Sequence, residues 1–121
     1  DFTYVDDIVE GVLRIAEMVA EHDPDWDASA PDPATSNAPY RIYNIGNNRS
    51  EELMRMIALI EAALGRKAKI DFQPMQPGDV HATFADISAI SQDIGFAPST
   101  AIEAGVPRFV NWYRAYHQEQ G

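Results

Sequence analysis

The side chains best placed to bind a polar ligand lie in one short turn, residues 75–80. Prolines at positions 74 and 77, together with Gly78, fix the backbone between two segments that read as strands. Gln76 and Asp79 then present an amide and a carboxylate from a rigid turn. Convergent groups of this kind suit recognition of a diol or a phosphate, and a purely structural turn is the alternative interpretation.

The histidines are the next candidates for chemistry, and their spacing does not favour a metal site. His22, His81 and His117 lie far apart along the chain, with no pair at the spacing that metal ligands use. We expect each to be a surface histidine. Only His81, beside the candidate turn, merits a test as a ligand-binding residue.

Other polar and aromatic groups have simpler structural interpretations. Asp6 and Asp7 could act as a general acid and base, but their place before an apolar helical stripe favours helix capping. Trp112, Tyr113 and Tyr116 at helical spacing favour core and edge packing over a ligand-stacking platform. The 7 glycines are isolated, so the chain has no Gly-rich phosphate loop and shows no complete catalytic set.

Composition narrows the class of protein. The 121 residues are 45% hydrophobic and 23% charged, which predicts one folded unit rather than a disordered chain. The absence of cysteine excludes disulfides, thiolate metal sites and a cysteine nucleophile. Apolar stretches are short and the first residues carry no basic leader, so we expect no membrane span and a cytoplasmic location.

The charge is strongly acidic and unevenly placed. A net charge of −10 comes from 19 acids against 9 Lys and Arg, and residues 21–39 hold five of the acids and none of the bases. This balance disfavours nucleic acid as a partner, but a small phosphorylated ligand needs only a few local donors. Four prolines also lie in residues 21–39, which predicts an acidic surface loop.

The elements that must position these groups alternate between helix and strand. The pattern predicts an α/β fold of about four helices with a few short strands. The predicted helices run from behind Asp7 to about Glu21, up to Gly65, from Asp86 to Gly95, and from Thr100 onward. The predicted strands cover residues 2–5, 40–45, 69–73 and 83–85.

Sequence signals for the helix ends are of two kinds. Asn48 with Glu51, or Arg49 with Glu52, has the spacing of a capping box for the second helix. The run from Thr100 to Glu103 has the same spacing for the last helix. Glycines at 65 and 95 are predicted to end the second and third helices.

Four blocks of sequence carry a family resemblance. They are Asp1-Phe2-Thr3-Tyr4-Val5-Asp6-Asp7-Ile8-Val9-Glu10-Gly11, Pro31-Asp32-Pro33-Ala34-Thr35-Ser36, Ala38-Pro39-Tyr40-Arg41-Ile42-Tyr43-Asn44-Ile45-Gly46-Asn47 and Gln76-Pro77-Gly78-Asp79-Val80. Together they resemble the C-terminal part of NAD-dependent nucleotide-sugar epimerases of the extended short-chain dehydrogenase/reductase family. Within that family the chain is most similar to the UDP-glucuronate 4-epimerases, often labelled capsular polysaccharide biosynthesis proteins. The resemblance covers essentially all of residues 1–121, which are thus expected to form one C-terminal nucleotide-sugar-binding lobe.

The resemblance implies epimerisation at C4 of a UDP-sugar, with UDP-glucuronate and UDP-galacturonate as the expected pair, in surface polysaccharide biosynthesis. In the family, hydride from C4 goes to NAD, the hydroxyl proton goes to the tyrosine of a Tyr-x-x-x-Lys motif, and the hydride returns to the other face. Tyr40-x-x-x-Asn44 and Tyr113-x-x-x-His117 both lack the lysine. We therefore expect no catalytic residue, no cofactor and no activity in this chain alone, with NAD bound by the N-terminal Rossmann portion of a parent enzyme.

The same resemblance implies that Gln76, Asp79 and Thr83 bind substrate. Related galactose epimerases carry an Arg-x-Gly-Asp turn, with the Arg on the diphosphate and the Asp on the ribose hydroxyls. Asp79 matches that Asp, whereas Gln76 stands at the Arg position and brings no charge. Thr83 matches a position that faces the sugar, where a small residue leaves room for a C6 carboxylate.

Two alternatives remain open at this point. The same fold serves nucleotide-sugar dehydratases and decarboxylases, which differ from epimerases in the part of the parent that lies outside these blocks. A stand-alone binding or interaction domain built from the same lobe is the alternative from another class. For the parent, the expected partners are a UDP-sugar and a second copy of itself, with no nucleic acid and no membrane.

Overall fold

Residues 1–117 are described by a computed structural model, and residues 118–121, the end of the predicted lobe, lie outside that part. The described residues form four helices, as predicted: α1 Val5–Ala16, α2 Leu53–Leu64, α3 Ser88–Ile94 and α4 Ile102–Tyr116. None of the four is long and apolar enough to span a membrane.

Helix α1 begins and ends earlier than predicted. It starts at Val5, with Tyr4 as its N-cap residue, so that Asp6 and Asp7 lie in its first turn. It ends at Ala16 rather than near Glu21. Val19, the last member of the predicted stripe, is 85% exposed, so this end of the stripe has no core to pack against.

The Asp7 side chain bonds to the residue before the N-cap of α4 and not to its own helix. Its side chain is almost fully buried, and its Oδ2 accepts a hydrogen bond from the backbone N–H of Thr100 at 3.0 Å. The Thr100 hydroxyl donates to Oδ1 of the same carboxylate at 3.2 Å. The predicted capping of α1 by Asp6 and Asp7 is therefore wrong, because no side chain caps α1 and Asp7 joins α1 to the start of α4.

The two predicted capping boxes are also wrong. Helix α4 has Ala101 as its N-cap residue, since the Thr100 hydroxyl is bound to Asp7 and the Glu103 carboxylate pairs with Arg55 of α2. Helix α2 has Glu52 as its N-cap residue, again without a side-chain bond to the first turn. At α4 partners distant in sequence take both side chains of the predicted box, whereas at α2 Glu51 pairs with the nearby Arg49 and Arg55.

The glycine signals at the helix C-termini are confirmed. Gly65 ends α2 with φ of 66° and Gly95 ends α3 with φ of 65°, both in the left-handed region that glycine adopts without steric cost. Each N–H bonds back into its helix, to Glu61 and Ser91 respectively.

Buried apolar side chains form two separate clusters. In the first, Ile87, Ile90 and Phe96 pack against Ile15 of α1 and the neighbouring Ile45. In the second, three residues of α4 pack against α2 and Phe2; the α4 residues are Ile102, Val106 and Val110. Helices α2 and α4 therefore form one packed pair, and the other part of the core lies around α3 and Phe96, with α1 contributing Ile15.

The predicted short strands are reduced to one isolated antiparallel bridge, between Thr35 and Arg41, in the part of the chain that the structure describes. A strand is held by backbone hydrogen bonds to a neighbouring strand, and residues 69–73 and 83–85 have none within residues 1–117. The Ala85 N–H, for example, donates to the Asp1 carboxylate instead.

Three of the five acids in residues 21–39 accept hydrogen bonds from nearby backbone N–H groups. The carboxylates of Asp23, Asp27 and Asp32 each accept a hydrogen bond from the N–H two residues further along, at 2.8–3.0 Å. The backbone N–H of Ser29 and then its hydroxyl lower the pKa of Asp27. The acidic charge thus supports local turns.

Candidate functional site

The turn that contains Gln76 and Asp79 has the rigid geometry predicted from its sequence. The Asp79 N–H donates to the Gln76 carbonyl at 3.1 Å, and Gly78 adopts φ of 95°. Proline at the second position and a positive φ at the third are the features of a type II turn. Both polar side chains are exposed, and neither has a hydrogen-bond partner within residues 1–117.

Thr83 lies four residues beyond the turn and is held by a different part of the molecule. Its carbonyl accepts a hydrogen bond from the Ser50 hydroxyl at 2.8 Å, and its Oγ1 lies 2.6 Å from the backbone nitrogen of Asp1. No hydrogen bond joins Thr83 to Gln76 or Asp79 within the described residues. The structure therefore places Gln76, Asp79 and Thr83 on one exposed segment, within residues 64–84, and hydrogen bonds hold this segment at Thr83.

The part of the segment around the turn lacks positive charge, and the nearest basic residues in the sequence are Arg66, Lys67 and Lys69. Residues 70–107 contain no Lys and no Arg, while Asp71, Asp79 and Asp86 lie within or just beyond the segment. Hydrogen bonds from Ser88, first from its side chain and then from its N–H, lower the pKa of Asp86, which favours its charged form. Any phosphate bound at this segment must therefore take its cation from elsewhere.

The histidines are all on the surface, as predicted. His22, His81 and His117 are exposed, and His81 follows the turn by two residues. His117 packs beside Tyr113, with ring centroids 4.3 Å apart. Across residues 1–117 no group of three His, Cys, Asp or Glu side chains is arranged to hold a metal ion.

An apolar cavity of about 480 Å³ lies between the first residues, α2 and α4. Its walls include Phe2, Tyr4, Met56, Val106 and Phe109. Local sequence patterns do not predict this cavity, because its lining comes from three stretches that are distant in the chain. The predicted site residues Gln76, Asp79 and Thr83 are not among its lining residues.

A polar cavity of about 490 Å³ lies on the other half of the molecule, with Glu21, His22 and Asp23 in its lining. In its wall the Tyr43 hydroxyl donates to Asp93 Oδ2 at 2.7 Å, and Arg41 pairs with the same oxygen at 3.2 Å. Burial raises the pKa of Tyr43, and the hydrogen bond to Asp93 raises it further. No local pattern predicts this cluster, since Arg41 and Asp93 are 52 positions apart.

The aromatic residues of α4 form an exposed row. Phe109 and Trp112 lie 5.9 Å apart between ring centroids, and Trp112 stacks on Tyr116 at 5.3 Å. Trp112 is 55% exposed, so the core part of the predicted core and edge packing is wrong, and the rings pack on one another at the surface. These residues do have the predicted helical spacing. The core is contacted by the other side of α4, which carries Ile102, Val106 and Val110.

Known proteins resemble this chain over nearly its whole length. It is 44% identical over 119 residues to Protein CapI of Staphylococcus aureus, which covers 98% of this chain and 36% of CapI. It is 40% identical over 117 residues to a probable UDP-glucuronate 4-epimerase of Rhizobium meliloti (strain 1021), covering 93% of this chain and 33% of that protein. No family model matches the chain.

A solved structure has the same fold. It is a mutant UDP-glucuronic acid 4-epimerase from Bacillus cereus in complex with UDP-4-deoxy-4-fluoro-glucuronic acid and NAD. The TM-score is 0.70 at 23% sequence identity, over 96% of this chain and 32% of that one. The arrangement of helices described above is therefore that of a portion of an epimerase.

These comparisons confirm the resemblance predicted from the sequence. Over nearly its whole length the chain is similar to a part of UDP-glucuronate 4-epimerases, and it has the fold of a portion of one. Its named relatives include several UDP-glucuronate 4-epimerases and Protein CapI. The chain spans about a third of the length of the relatives that it matches.

Proposed function

We propose that this chain is the sugar-nucleotide-binding portion of an NAD-dependent epimerase that inverts C4 of UDP-glucuronate. The observation that carries the proposal is the exposed type II turn, whose Gln76 and Asp79 side chains are free to bind a ligand. The relatives support the substrate class, since the Rhizobium meliloti protein is named as a probable UDP-glucuronate 4-epimerase.

Each of the three residues has a chemical role in this proposal. The Asp79 carboxylate accepts hydrogen bonds from two adjacent hydroxyls of the ribose, a geometry that a carboxylate's paired oxygens suit. The Gln76 amide donates to a phosphate oxygen. Thr83, with its small side chain, leaves room for the carboxylate of the sugar at C6.

The charge of the ligand requires cations from outside residues 70–107. A nucleoside diphosphate carries several negative charges, and residues 70–107 supply no Lys or Arg to meet them. The proposal assigns this cation to the remainder of a longer protein. UDP should therefore bind weakly to the 121-residue chain alone, which is expected to be inactive.

The described residues do not fit NAD. Dinucleotide sites use a Gly-rich loop between a strand and a helix, and residues 1–117 contain no strand followed by such a loop. Hydride chemistry therefore belongs to the N-terminal Rossmann portion of the parent in this proposal, and the chain's own task is to bind and orient the nucleotide.

The exposed apolar surface supports a covering partner of this kind. Residues 64–84 are all exposed, and among them Phe72 is 79% accessible to solvent. Together with the aromatic row of α4, they expose several large apolar side chains, a feature typical of surfaces that contact another protein part. We propose that the Rossmann portion of the parent covers this apolar surface. Dimerisation of the parent and a role in surface polysaccharide synthesis remain predictions.

Product analysis by NMR tests the proposed reaction. The longer protein, loaded with NAD, should convert UDP-glucuronate into UDP-galacturonate, identified by the changed coupling of the proton at C4, because the two epimers have equal mass. A product that has lost water or carbon dioxide would instead identify a dehydratase or decarboxylase. No conversion at all, with an intact nucleotide site, would favour a binding domain.

A matched pair of variants tests the role of the turn in that protein. Asp79→Asn should raise the KM for UDP-glucuronate about tenfold, since a hydrogen bond to a charged group is lost. Asp71→Asn removes an equally exposed carboxylate outside the turn and should leave KM unchanged. Equal effects of the two substitutions would contradict the assignment of Asp79.

A further inference from the structure

One carboxylate, that of Asp1, joins three stretches of the chain. Its Oδ1 accepts a hydrogen bond from the backbone N–H of Asn47 at 2.9 Å, and its Oδ2 accepts one from the N–H of Ala85 at 3.0 Å. The Thr3 hydroxyl also donates to Oδ1, at 3.2 Å. Partners 46 and 84 positions away along the chain are thereby held against one side chain.

The backbones around this carboxylate are in close approach. A Cβ atom added at Gly46 would lie 2.4 Å from the Cβ of Ala85 and 3.2 Å from Oδ2 of Asp1. The first distance is far shorter than van der Waals contact, so only glycine fits at position 46 without displacing the backbone. Asp1, Gly46 and Ala85 therefore form a defined junction, in contrast to the exposed segment that leads into it.

The junction fixes one end of the candidate binding segment. Thr83 lies two residues before Ala85, and its carbonyl accepts the hydrogen bond from Ser50, three residues after Asn47. Residues 64–84 are otherwise exposed, and between Asp71 and Thr83 the hydrogen bonds are those of the turn and a local Asp71–Gln73 contact. Asp1 and Ser50 thus anchor the segment from its Thr83 end.

We propose that Asp1 is a positioning residue of the sugar-nucleotide site, an inference that rests on the proposed function. Asp1 acts by holding Ala85 and therefore Thr83 at a fixed distance from the turn that carries Asp79. A carboxylate is required because each of its two oxygens accepts an N–H from a different stretch. An asparagine would place its NH₂ group against one of those N–H donors, leaving that donor unpaired.

Steady-state kinetics of the longer, NAD-loaded protein test the inference. Asp1→Asn should raise the KM for UDP-glucuronate about tenfold and change kcat by less than about twofold, because binding geometry is altered and the reacting groups are not. Asp1→Glu, which keeps the carboxylate, should give an intermediate KM. Asp7→Asn is the matched control: its carboxylate also joins two elements, at Thr100, and its loss should lower the melting temperature without raising KM.

The outcomes separate this inference from the function on which it rests. No conversion and no UDP-glucuronate binding by the unmodified protein would overturn the proposed function, and the inference with it. An active protein in which Asp1→Asn lowers the melting temperature but leaves KM unchanged would overturn the positioning role alone. If Asp1→Asn does not fold, Ser50→Ala removes only the bond to Thr83 and should raise KM about threefold; an unchanged KM there would also overturn the role.

Discussion

Apolar side chains are buried between α2 and α4 but exposed in the segment that directly follows α2. In the helix pair, Ile102, Val106 and Val110 are buried against α2. In residues 64–84, Ile70 and Phe72 alternate with polar residues as a strand's would, yet both are exposed. The same chain thus carries one stretch with a buried apolar stripe and one whose apolar side chains stay largely exposed within residues 1–117.

The physical difference lies in where each element finds its backbone hydrogen bonds. A helix satisfies its N–H and C=O groups within itself, so only its apolar stripe needs a neighbour. An extended segment needs a neighbour for both its backbone and its side chains. The residues proposed to bind the nucleotide therefore lie in the part of the chain that depends most on a few anchors, Asp1 and Ser50 among them.

A matched pair of phenylalanine substitutions gives the largest predicted effect. Phe96 is 1% exposed, and Phe96→Ala should lower the free energy of unfolding of this chain by about 3–5 kcal/mol. Phe72→Ala, at an exposed position, should change it by less than about 0.5 kcal/mol. Urea denaturation followed by circular dichroism measures both.

The same two substitutions are expected to differ less in their effect on stability when they are made in the longer protein. If a Rossmann portion covers residues 64–84, Phe72→Ala should become clearly destabilising there, while the effect of Phe96→Ala should stay similar. A Phe72→Ala variant that remains neutral in the longer protein would show that the segment is uncovered in both.

The two neighbouring aspartates of α1 give the next largest effect. Asp7→Asn disturbs the bonds to the N–H and hydroxyl of Thr100 and should cost about 1–3 kcal/mol of stability, since a buried donor loses its charged acceptor. Asp6→Asn, exposed in the same turn, should change stability by less than about 0.5 kcal/mol. Equal losses would mean that both act on α1 itself, as sequence reasoning predicted.

The pH dependence of Asp86 gives the smallest effect. Hydrogen bonds from the Ser88 side chain and N–H lower its pKa below the ordinary 3.8. Because the folded-state pKa is the lower one, its contribution to stability is present above 3.8 and is lost as pH falls through the folded value. The Asp86 carboxyl should titrate below 3.8 by NMR, and the stability of Asp86→Asn should fall less than that of the unmodified chain as the pH is lowered. An Asp86 pKa at or above 3.8 would contradict this account.

Helices and their C-terminal glycines could be predicted from the sequence because both signals are local. Apolar residues at helical spacing and glycines at 65 and 95 act within one or two turns of the backbone. The N-terminal caps could not be predicted, since Asp7 binds Thr100 and Glu103 pairs with Arg55 across the fold. Paired strands were predicted from residue type alone, whereas a strand exists only where a neighbour is available.

The candidate site was predictable in part for the same reason. Proline and glycine fix the turn at Gln76 and Asp79 locally, and the structure shows that turn. The roles of Asp79 and Thr83 came from a family resemblance, because nothing in their spacing specifies a ribose or a sugar carboxylate. The bonds of Asp1 to Asn47 and Ala85 and of Ser50 to Thr83 could not be predicted, since these partners lie 33 or more positions apart in the sequence.

Amide chemical-shift perturbation of this 121-residue chain by UDP tests the central claim most directly. We predict weak, saturable shifts confined to residues 76–83 and their anchors near Asp1 and Ser50, and their loss in Asp79→Ala. Shifts concentrated instead at Arg41, Tyr43 and Asp93 around the polar cavity, or shifts that persist unchanged in Asp79→Ala, would contradict the assignment of the nucleotide site.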